Sequence, residues 1–261
     1  MKIRSIFIGA CVLIAGFVWA QSPTRRIVDL TYAFSSQSVY WPTADGFVLK
    51  ADAAGLTEKG YYYTANSFSA AEHGGTHLDA PAHFAQGMPT VDRIPLERLL
   101  APGVLVDVTE GAAKNPDYQV SASDFAKWEE KNGRIADGCI VLLRTGWGKY
   151  YPDKRRYLGT DERGAGAVAR LHFPGLGPAA ARWIVANRKI AAIGIDTASI
   201  DYGQSQLFET HQALFKAGIP ALENVANLDK LPTRGFDLIA LPMKIEGGSG
   251  APLRIVAVFP R

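Results

Sequence analysis

The stretch "HGGTHLDAPAH", His73–His83, places three of the chain's five histidines and an aspartate within eleven residues. Two adjacent glycines and a proline disfavour a helix, so we expect a turn that leads into a short extended segment. In an extended segment, side chains two residues apart point to the same face, which places His77 and Asp79 together. The glycine pair gives the backbone enough freedom for His73 to fold back toward them.

Two imidazoles and one carboxylate form a three-ligand site for Zn²⁺ or Mn²⁺ with room left for water. His83 follows four residues after Asp79, beyond Pro81, and a histidine beside a metal-bound water is well placed to move protons. A lone histidine in a strand is more often structural. Three histidines among glycines that provide no packing are hard to explain in that way, so the stretch predicts a metal site.

Two further candidate ligands, His211 and Glu223, lie far from this stretch in the sequence. His211 belongs to a short helical pattern, and Glu223 belongs to the strand-like segment "IPALEN". Their spacing of twelve residues does not by itself show that they reach the metal site.

The first twenty residues differ from the rest of the chain. Lys2 and Arg4 precede the fifteen-residue apolar run Ile6–Ala20, which ends in small residues. This pattern is typical of a secretory signal peptide, and the run is short for a membrane anchor, which needs roughly 20 apolar residues. We expect cleavage after Ala20 and a periplasmic or secreted domain at 21–261, without a membrane segment. A lipoprotein site at Cys11 is the weaker alternative, because it leaves almost no apolar segment before the cut.

The composition indicates a single globular domain, since 48% of the 261 residues are hydrophobic and 20% are charged. Loss of Lys2 and Arg4 lowers the formal net charge from +3 to +1, which implies neither nucleic acid nor an acidic membrane surface as a partner. Cys139 would then be the one remaining cysteine, so no intrachain disulfide forms. Its apolar surroundings indicate a buried strand rather than a nucleophile.

Strand-like runs and helical patterns alternate only in the middle of the chain. The strand-like runs are "RIVDLTYAF", "YYYTANSFS", "VLVDVT", "CIVLLRTG", "IAAIGID", "FDLIALPMKI" and "LRIVAVF". The helical patterns are "ASDFAKWEEKN", "GPAAARWIVANRK" and "ETHQALFKAG". Because strands cluster without helices near both ends, we predict an α/β domain with a mixed sheet or partly closed barrel flanked by helices.

The stretch resembles the H-x-G-T-H-x-D-x-P-x-H signature of the cyclase family, metal-dependent hydrolases that include bacterial kynurenine formamidase and isatin hydrolase. The segments "LLRTGW", "FPGL", "GIDTASID", "THQALFKAGIPALENVANL" and "GGSGAPLRIVA" are also similar to that family. The resemblance covers nearly all of the chain after the apolar run. It implies a swivelling β/β/α fold, in agreement with the mixed sheet, and a homo-oligomer that is a dimer or larger.

The resemblance also implies roles for individual residues. The ligands of a first Mn²⁺ or Zn²⁺ ion would be His73, His77 and Asp79. In members with two ions, His211 would bind the second, and Asp79 and Glu223 would bridge the pair. The general acid/base would be His83. The number of ions stays open, because in single-metal members the second set of residues could bind substrate instead.

The chemistry implied is hydrolysis of the carbon–nitrogen bond of a small aromatic amide or lactam by metal-activated water. Opening of isatin to isatinate agrees with an exported enzyme, whereas kynurenine formation belongs to an intracellular pathway and is the alternative. A secreted protein that binds metal or an aromatic acid without turnover is an alternative from another class. The predicted substrate-binding residues are Trp41, Tyr63, Phe84 and Trp147.

Overall fold

The computed structural model describes residues 25–260, so the predicted signal peptide lies outside the described residues. The strands are β1 (Ile27–Asp29), β2 (Val48–Leu56), β3 (Tyr62–Ser69), β4 (His77–Asp79), β5 (Leu100–Asp107), β6 (Gln119–Val120), β7 (Ile140–Arg144), β8 (Gly175–Leu176), β9 (Ala192–Ile195), β10 (Ala221–Glu223), β11 (Phe236–Pro242) and β12 (Gly250–Val258). The α-helices are α1 (Thr109–Lys114), α2 (Ala122–Asn132), α3 (Lys154–Leu158), α4 (Ala165–Val168), α5 (Pro178–Asn187) and α6 (Glu209–Lys216).

Seven strands close into a barrel in the order β12-β11-β5-β7-β9-β10-β4, and β4 pairs back onto β12. The strands β5, β7, β9 and β10 run parallel to one another, and the other pairings are antiparallel. The long strand β12 makes closure possible, because one edge of it pairs with β4 at its beginning and with β1 at its end. The predicted fold class, a mixed and partly closed sheet with flanking helices, is confirmed.

Alternation along the strands divides the core into two layers. On β7, Ile140 and Leu142 point into the barrel, whereas Val141 and Leu143 pack outward with α2, α5 and α6. This is the expected period of two for a sheet that is covered on both faces. Side chains from these helices can therefore contact strand residues only on the outer surface of the barrel.

Three of the six described helices, α2, α5 and α6, lie within the predicted helical patterns, whereas α1, α3 and α4 were not predicted. The backbone N–H of Ser121 donates to Asp124 at 2.8 Å in the first turn of α2, and the helix ends at Gly133, whose φ is 77°. Pro178 occupies the first turn of α5. No helix within residues 25–260 has the length and apolar character needed to cross a membrane.

The sequence did not predict β2, which is rich in alanine and pairs only with β3. Alanine and glycine have low strand propensity, so β2 depends on its pairing with the aromatic strand β3 rather than on its own sequence. The two strands form a hairpin that extends from the barrel, and nearly all of its side chains are exposed. The short strands β6 and β8, two residues each, were also not predicted.

Candidate active site

The cluster of candidate ligands begins on two neighbouring strands of the barrel. In β4, His77 and Asp79 share one face, as the spacing predicts, while Leu78 points into the core of the barrel. Glu223 of β10 lies directly opposite His77 in the antiparallel register. Residues opposite each other on paired strands project to the same side. The three polar side chains therefore meet on the outer surface of the barrel, where all three are buried.

His73 reaches the same cluster from the preceding turn. Gly75 has a φ of 57°, a left-handed conformation that glycine tolerates, and this turn brings His73 back over β4. The Nδ1 atom of His73 lies 2.6 Å from Asp79 Oδ1. Opposite Asp79 on β12, a side chain at Gly250 would collide with the His73 ring, because its Cβ would be 2.5 Å from Cε1. Glycine at this position leaves the space that the imidazole occupies.

His211 joins the cluster from helix α6, which packs against the outer surface of the barrel. Its Nε2 atom lies 3.2 Å from Asp79 Oδ2 and 3.2 Å from Glu223 Oε1. The side chain is buried. Tertiary structure thus brings His211 and Glu223 to Asp79, a juxtaposition that the sequence left open.

His83 lies on a 3-10 helix, Pro81–His83, that follows shortly after β4. Its ring stacks on that of His73 with centroids 3.8 Å apart. Burial lowers the pKa of His83 to about 4, so the imidazole is neutral at physiological pH and can accept a proton. The imidazole is thus in the form that accepts a proton, but its pKa lies below the near-neutral value that best suits a general base.

The charged groups of the cluster shift one another's pKa values. Burial alone would raise the pKa of Asp79, but His73 and His77 hold it well below its ordinary value. Burial and the neighbouring Asp79 charge raise the pKa of Glu223. Burial alone would lower the pKa of His77, but the Asp79 and Glu223 carboxylates raise it to about 9. The negative field that attracts a proton to this imidazole attracts a divalent cation as well.

The donor set fits a divalent metal ion. The Nδ1 atom of His77 donates to the Gly75 carbonyl at 3.0 Å, which directs Nε2 toward the carboxylates. His77 Nε2 is buried without a hydrogen-bond partner among the described residues, although it lies 3.1 Å from Asp79 Oδ1. Two overlapping sets of ligand atoms are close enough to share an ion: His77, Asp79 and Glu223; and His73, Asp79 and His83. Imidazole nitrogen and carboxylate oxygen together suit Zn²⁺ or Mn²⁺.

A cavity of about 280 Å³ opens onto the cluster. Its aromatic walls are Tyr40, Trp41, Phe84 and Phe208. The rings of Phe84 and Phe208 are 5.3 Å apart, and that of Trp41 lies 6.1 Å from Phe208. Ligand pockets of this kind combine an apolar lining with a few polar groups that fix the orientation of the ligand. The predicted substrate-binding residues Trp41 and Phe84 are thus at the cavity.

The other two predicted substrate-binding residues do not line this cavity. Tyr63 lies on the hairpin strand β3 with 52% of its surface exposed, because the aromatic strand extends from the barrel. Trp147 is buried in the core cluster on which Trp41 packs, and its indole N–H donates to the Tyr157 carbonyl at 2.9 Å. The sequence could not separate these aromatics from Trp41 and Phe84, because aromatic character is shared by core, surface and pocket residues.

Residues 28–202 match a family model described as "Putative cyclase". The chain belongs to the cyclase family. Among curated relatives in this family, isatin hydrolase of Roseibium aggregatum is 35% identical over 210 residues, which cover 77% of each chain. Kynurenine formamidase of Salinibacter ruber is 28% identical over 230 residues, which cover 88% of this chain and 96% of the relative.

Solved structures agree with the family assignment. Isatin hydrolase A of Labrenzia aggregata, bound to benzyl benzoate, is 33% identical with a TM-score of 0.81 and covers 91% of this chain and 94% of its own. An isatin hydrolase bound to the product analogue thioisatinate is 30% identical with a TM-score of 0.80, over 91% and 93% of the two chains. The cyclase-family resemblance is confirmed, and the chain is a hydrolase.

Sequence reasoning missed several residues that support the site. Asp201 contacts His211, and Ser249 links Glu72 to His73 Nε2 through hydrogen bonds of 2.6 and 2.9 Å. Asp201 ends the family segment "GIDTASID", and Ser249 lies in "GGSGAPLRIVA", so both segments were identified without a role for these side chains. Phe208, which has a φ of 50°, had no sequence signal.

Proposed function

We propose that this chain is a metal-dependent amidohydrolase that opens a neutral aromatic lactam of the isatin type. The observation that carries the proposal is the aromatic cavity of about 280 Å³ with the ligand cluster at its wall. A flat aromatic ring can pack between Trp41, Phe84 and Phe208 while its amide group faces the imidazoles and carboxylates. The isatin hydrolases among the relatives support this substrate class.

In this proposal, His73, His77 and Asp79 would hold a divalent metal ion, and His211 and Glu223 would complete the cluster, with either one or two ions. A bound divalent metal ion supplies Lewis-acid activation of the amide carbonyl and of the attacking water. The neutral His83 imidazole takes the proton from that water and returns it to the departing nitrogen. The aromatic walls exclude bulk water and hold the ring in one orientation.

Kynurenine formamidase activity is the second candidate, supported by relatives of that name. Its substrate, N-formylkynurenine, carries an amino-acid group whose carboxylate is best bound by arginine or lysine. No arginine or lysine lines the cavity in the part of the chain that the structure describes. The cavity therefore favours a neutral aromatic amide over N-formylkynurenine.

A substrate panel tests the proposal directly. Purified protein loaded with Mn²⁺ or Zn²⁺ is incubated with isatin, N-formylkynurenine and an aliphatic amide, and the products are measured. We expect isatinate to form with the highest kcat/KM. Faster turnover of N-formylkynurenine would establish the second candidate. Full metal occupancy without hydrolysis of any aromatic amide would instead support a binding protein that performs no turnover.

We further propose that the enzyme is a homo-oligomer joined through one face of the hairpin. The register of β2 and β3 places Leu49, Leu56, Tyr62 and Phe68 on a single face. Both charged residues of the two strands, Lys50 and Asp52, lie on the other face beside Ser67. Thr64 and Asn66 lie between the four apolar residues on the uncharged face. We call this face the apolar hairpin face, after its four large apolar side chains. Its nine-residue strand gives it a length of roughly 30 Å.

A second copy of the chain is the partner to which this proposal commits. Four large, exposed apolar side chains on a face without charges are typical of an interaction surface, and such a face can pair with itself across a two-fold axis. The hairpin is also tied to the active site. Phe68 stacks on Phe47 at 5.8 Å, and Phe47 contacts Phe34, whose ring lies against Gly75 in the ligand turn.

Adjacent tyrosines provide a matched test of the apolar hairpin face. Tyr62 lies on this face and Tyr63 on the opposite one, with exposed fractions of 66% and 52%. We expect Tyr62→Lys to lower the molar mass in light scattering toward that of a monomer, because it buries a charge in the interface. Tyr63→Lys should keep the wild-type mass. A monomeric wild-type protein, or equal masses for both variants, would contradict the proposal.

A further inference from the structure

Asp201 is a buried carboxylate outside the predicted ligand set. It lies in the loop between β9 and α6 and is 1% exposed. Its Oδ2 atom is 2.5 Å from His211 Nδ1 and accepts the His211 backbone N–H at 3.1 Å. Its Oδ1 atom accepts the Thr210 backbone N–H at 3.2 Å and the Ser205 hydroxyl at 2.9 Å. Four donor groups therefore converge on this one side chain.

These contacts determine which nitrogen of His211 carries a hydrogen. A carboxylate that already receives three other donors acts as an acceptor toward Nδ1, so Nδ1 is the nitrogen that keeps its hydrogen when the ring is neutral. The lone pair then remains on Nε2. This atom faces Asp79 Oδ2 and Glu223 Oε1, each at 3.2 Å. When Nε2 carries no hydrogen, its lone pair and these two carboxylate oxygens are the atoms that would hold a cation.

The hydrogen bonds between Asp201 and the backbone of α6 fix the position of the His211 ring. Because the same carboxylate accepts the backbone N–H groups of Thr210 and His211, it is anchored to the first turn of α6. The imidazole is held by its Nδ1 atom against this anchor, while Phe84 lies over it at 4.7 Å. A rotation of the ring that moves Nδ1 away from Asp201 would break these contacts.

We propose that Asp201 is a positioning residue that presents the Nε2 lone pair of His211 to a metal ion shared with Asp79 and Glu223. This inference rests on the metal site of the proposed function. Carboxylate partners of metal-binding histidines fix the tautomer and the orientation of the ring, and their loss typically lowers metal affinity 10- to 100-fold. Asp201 acts through His211 and does not contact the substrate cavity.

Zn²⁺ titration calorimetry on the full chain tests the proposal without measuring turnover. We expect Asp201→Ala to lower Zn²⁺ affinity by roughly 10- to 100-fold. Asp201→Asn should restore only part of the loss. Its amide oxygen can remain on His211 and its NH₂ group can donate to the Ser205 hydroxyl, but that NH₂ group also faces the Thr210 backbone N–H, which it cannot accept. The matched control is Asp117→Ala, which removes the carboxylate 2.9 Å from Nδ1 of the exposed His172 and should leave Zn²⁺ affinity unchanged.

Nitrogen-15 NMR of the Zn²⁺-loaded wild-type protein provides a readout that a merely structural residue would not affect. The His211 ring should show a protonated, slowly exchanging Nδ1 and a metal-bound Nε2. A ring bound through Nδ1, or an Asp201→Ala protein with wild-type affinity, would overturn the proposal. If Asp201→Ala does not fold, the wild-type spectrum decides alone. If isatin is not hydrolysed but these binding results hold, only the substrate assignment fails.

Discussion

Replacement of His77 by alanine is expected to remove both metal binding and activity. His77 faces Asp79 and Glu223 from the adjacent position on the barrel, and its Nε2 atom has no other partner in the described structure. Loss of residues that merely orient ligands lowers metal affinity 10- to 100-fold, so loss of a direct ligand should exceed about 100-fold. The two carboxylates would also lose a neutralising neighbour. Metal stoichiometry and hydrolysis rate, measured on the same sample, check this prediction.

His172→Ala is the matched control for this experiment. His172 is exposed, pairs with Asp117 and lies outside the ligand cluster, so both metal content and turnover should stay at wild-type levels. Circular dichroism of the two variants separates loss of the metal from loss of the fold. A folded His77→Ala protein with full metal content and full activity would show that the site has been assigned to the wrong residues.

Replacement of His83 by alanine should separate catalysis from metal binding. If His83 moves protons, the variant keeps wild-type metal content, and its turnover falls by roughly 10²- to 10⁴-fold, the usual contribution of a positioned acid or base. Burial lowers the pKa of His83 to about 4, which leaves the imidazole unprotonated at neutral pH and makes it a weaker base than a free histidine. Turnover is measured under saturating metal so that a small change in affinity does not contribute to the result.

The structure also defines the competing outcome. His83 lies close enough to His73 and Asp79 to share an ion with them, so it could serve as a ligand. In that case His83→Ala would lose metal together with activity. Glu223 would then be the next candidate for the acid/base, because burial and the Asp79 charge raise its pKa. The conservative variant His83→Asn, which keeps a polar side chain of similar size, should show the same separation as His83→Ala if His83 is catalytic.

The local part of the site is determined by the sequence itself. The period of two in an extended chain places His77 and Asp79 on one face, and the left-handed conformation of Gly75 lets His73 return to them. These relations involve neighbouring residues and need no knowledge of the rest of the chain. The boundaries of α2 follow from its capping residues for the same reason. The family signature implies roles for these residues, because the whole stretch is one continuous motif.

Tertiary structure alone decided which distant residues complete the site. Closure of the barrel requires β12 to pair with β4, and the register of β10 places Glu223 opposite His77. Nothing in the local sequence specifies such pairings, since each strand could face many partners. The same limit explains Tyr63, whose aromatic segment is predicted as a strand but forms part of an exposed hairpin. Asp201 can contact His211 only because α6 packs against the barrel, and that packing depends on the complete core.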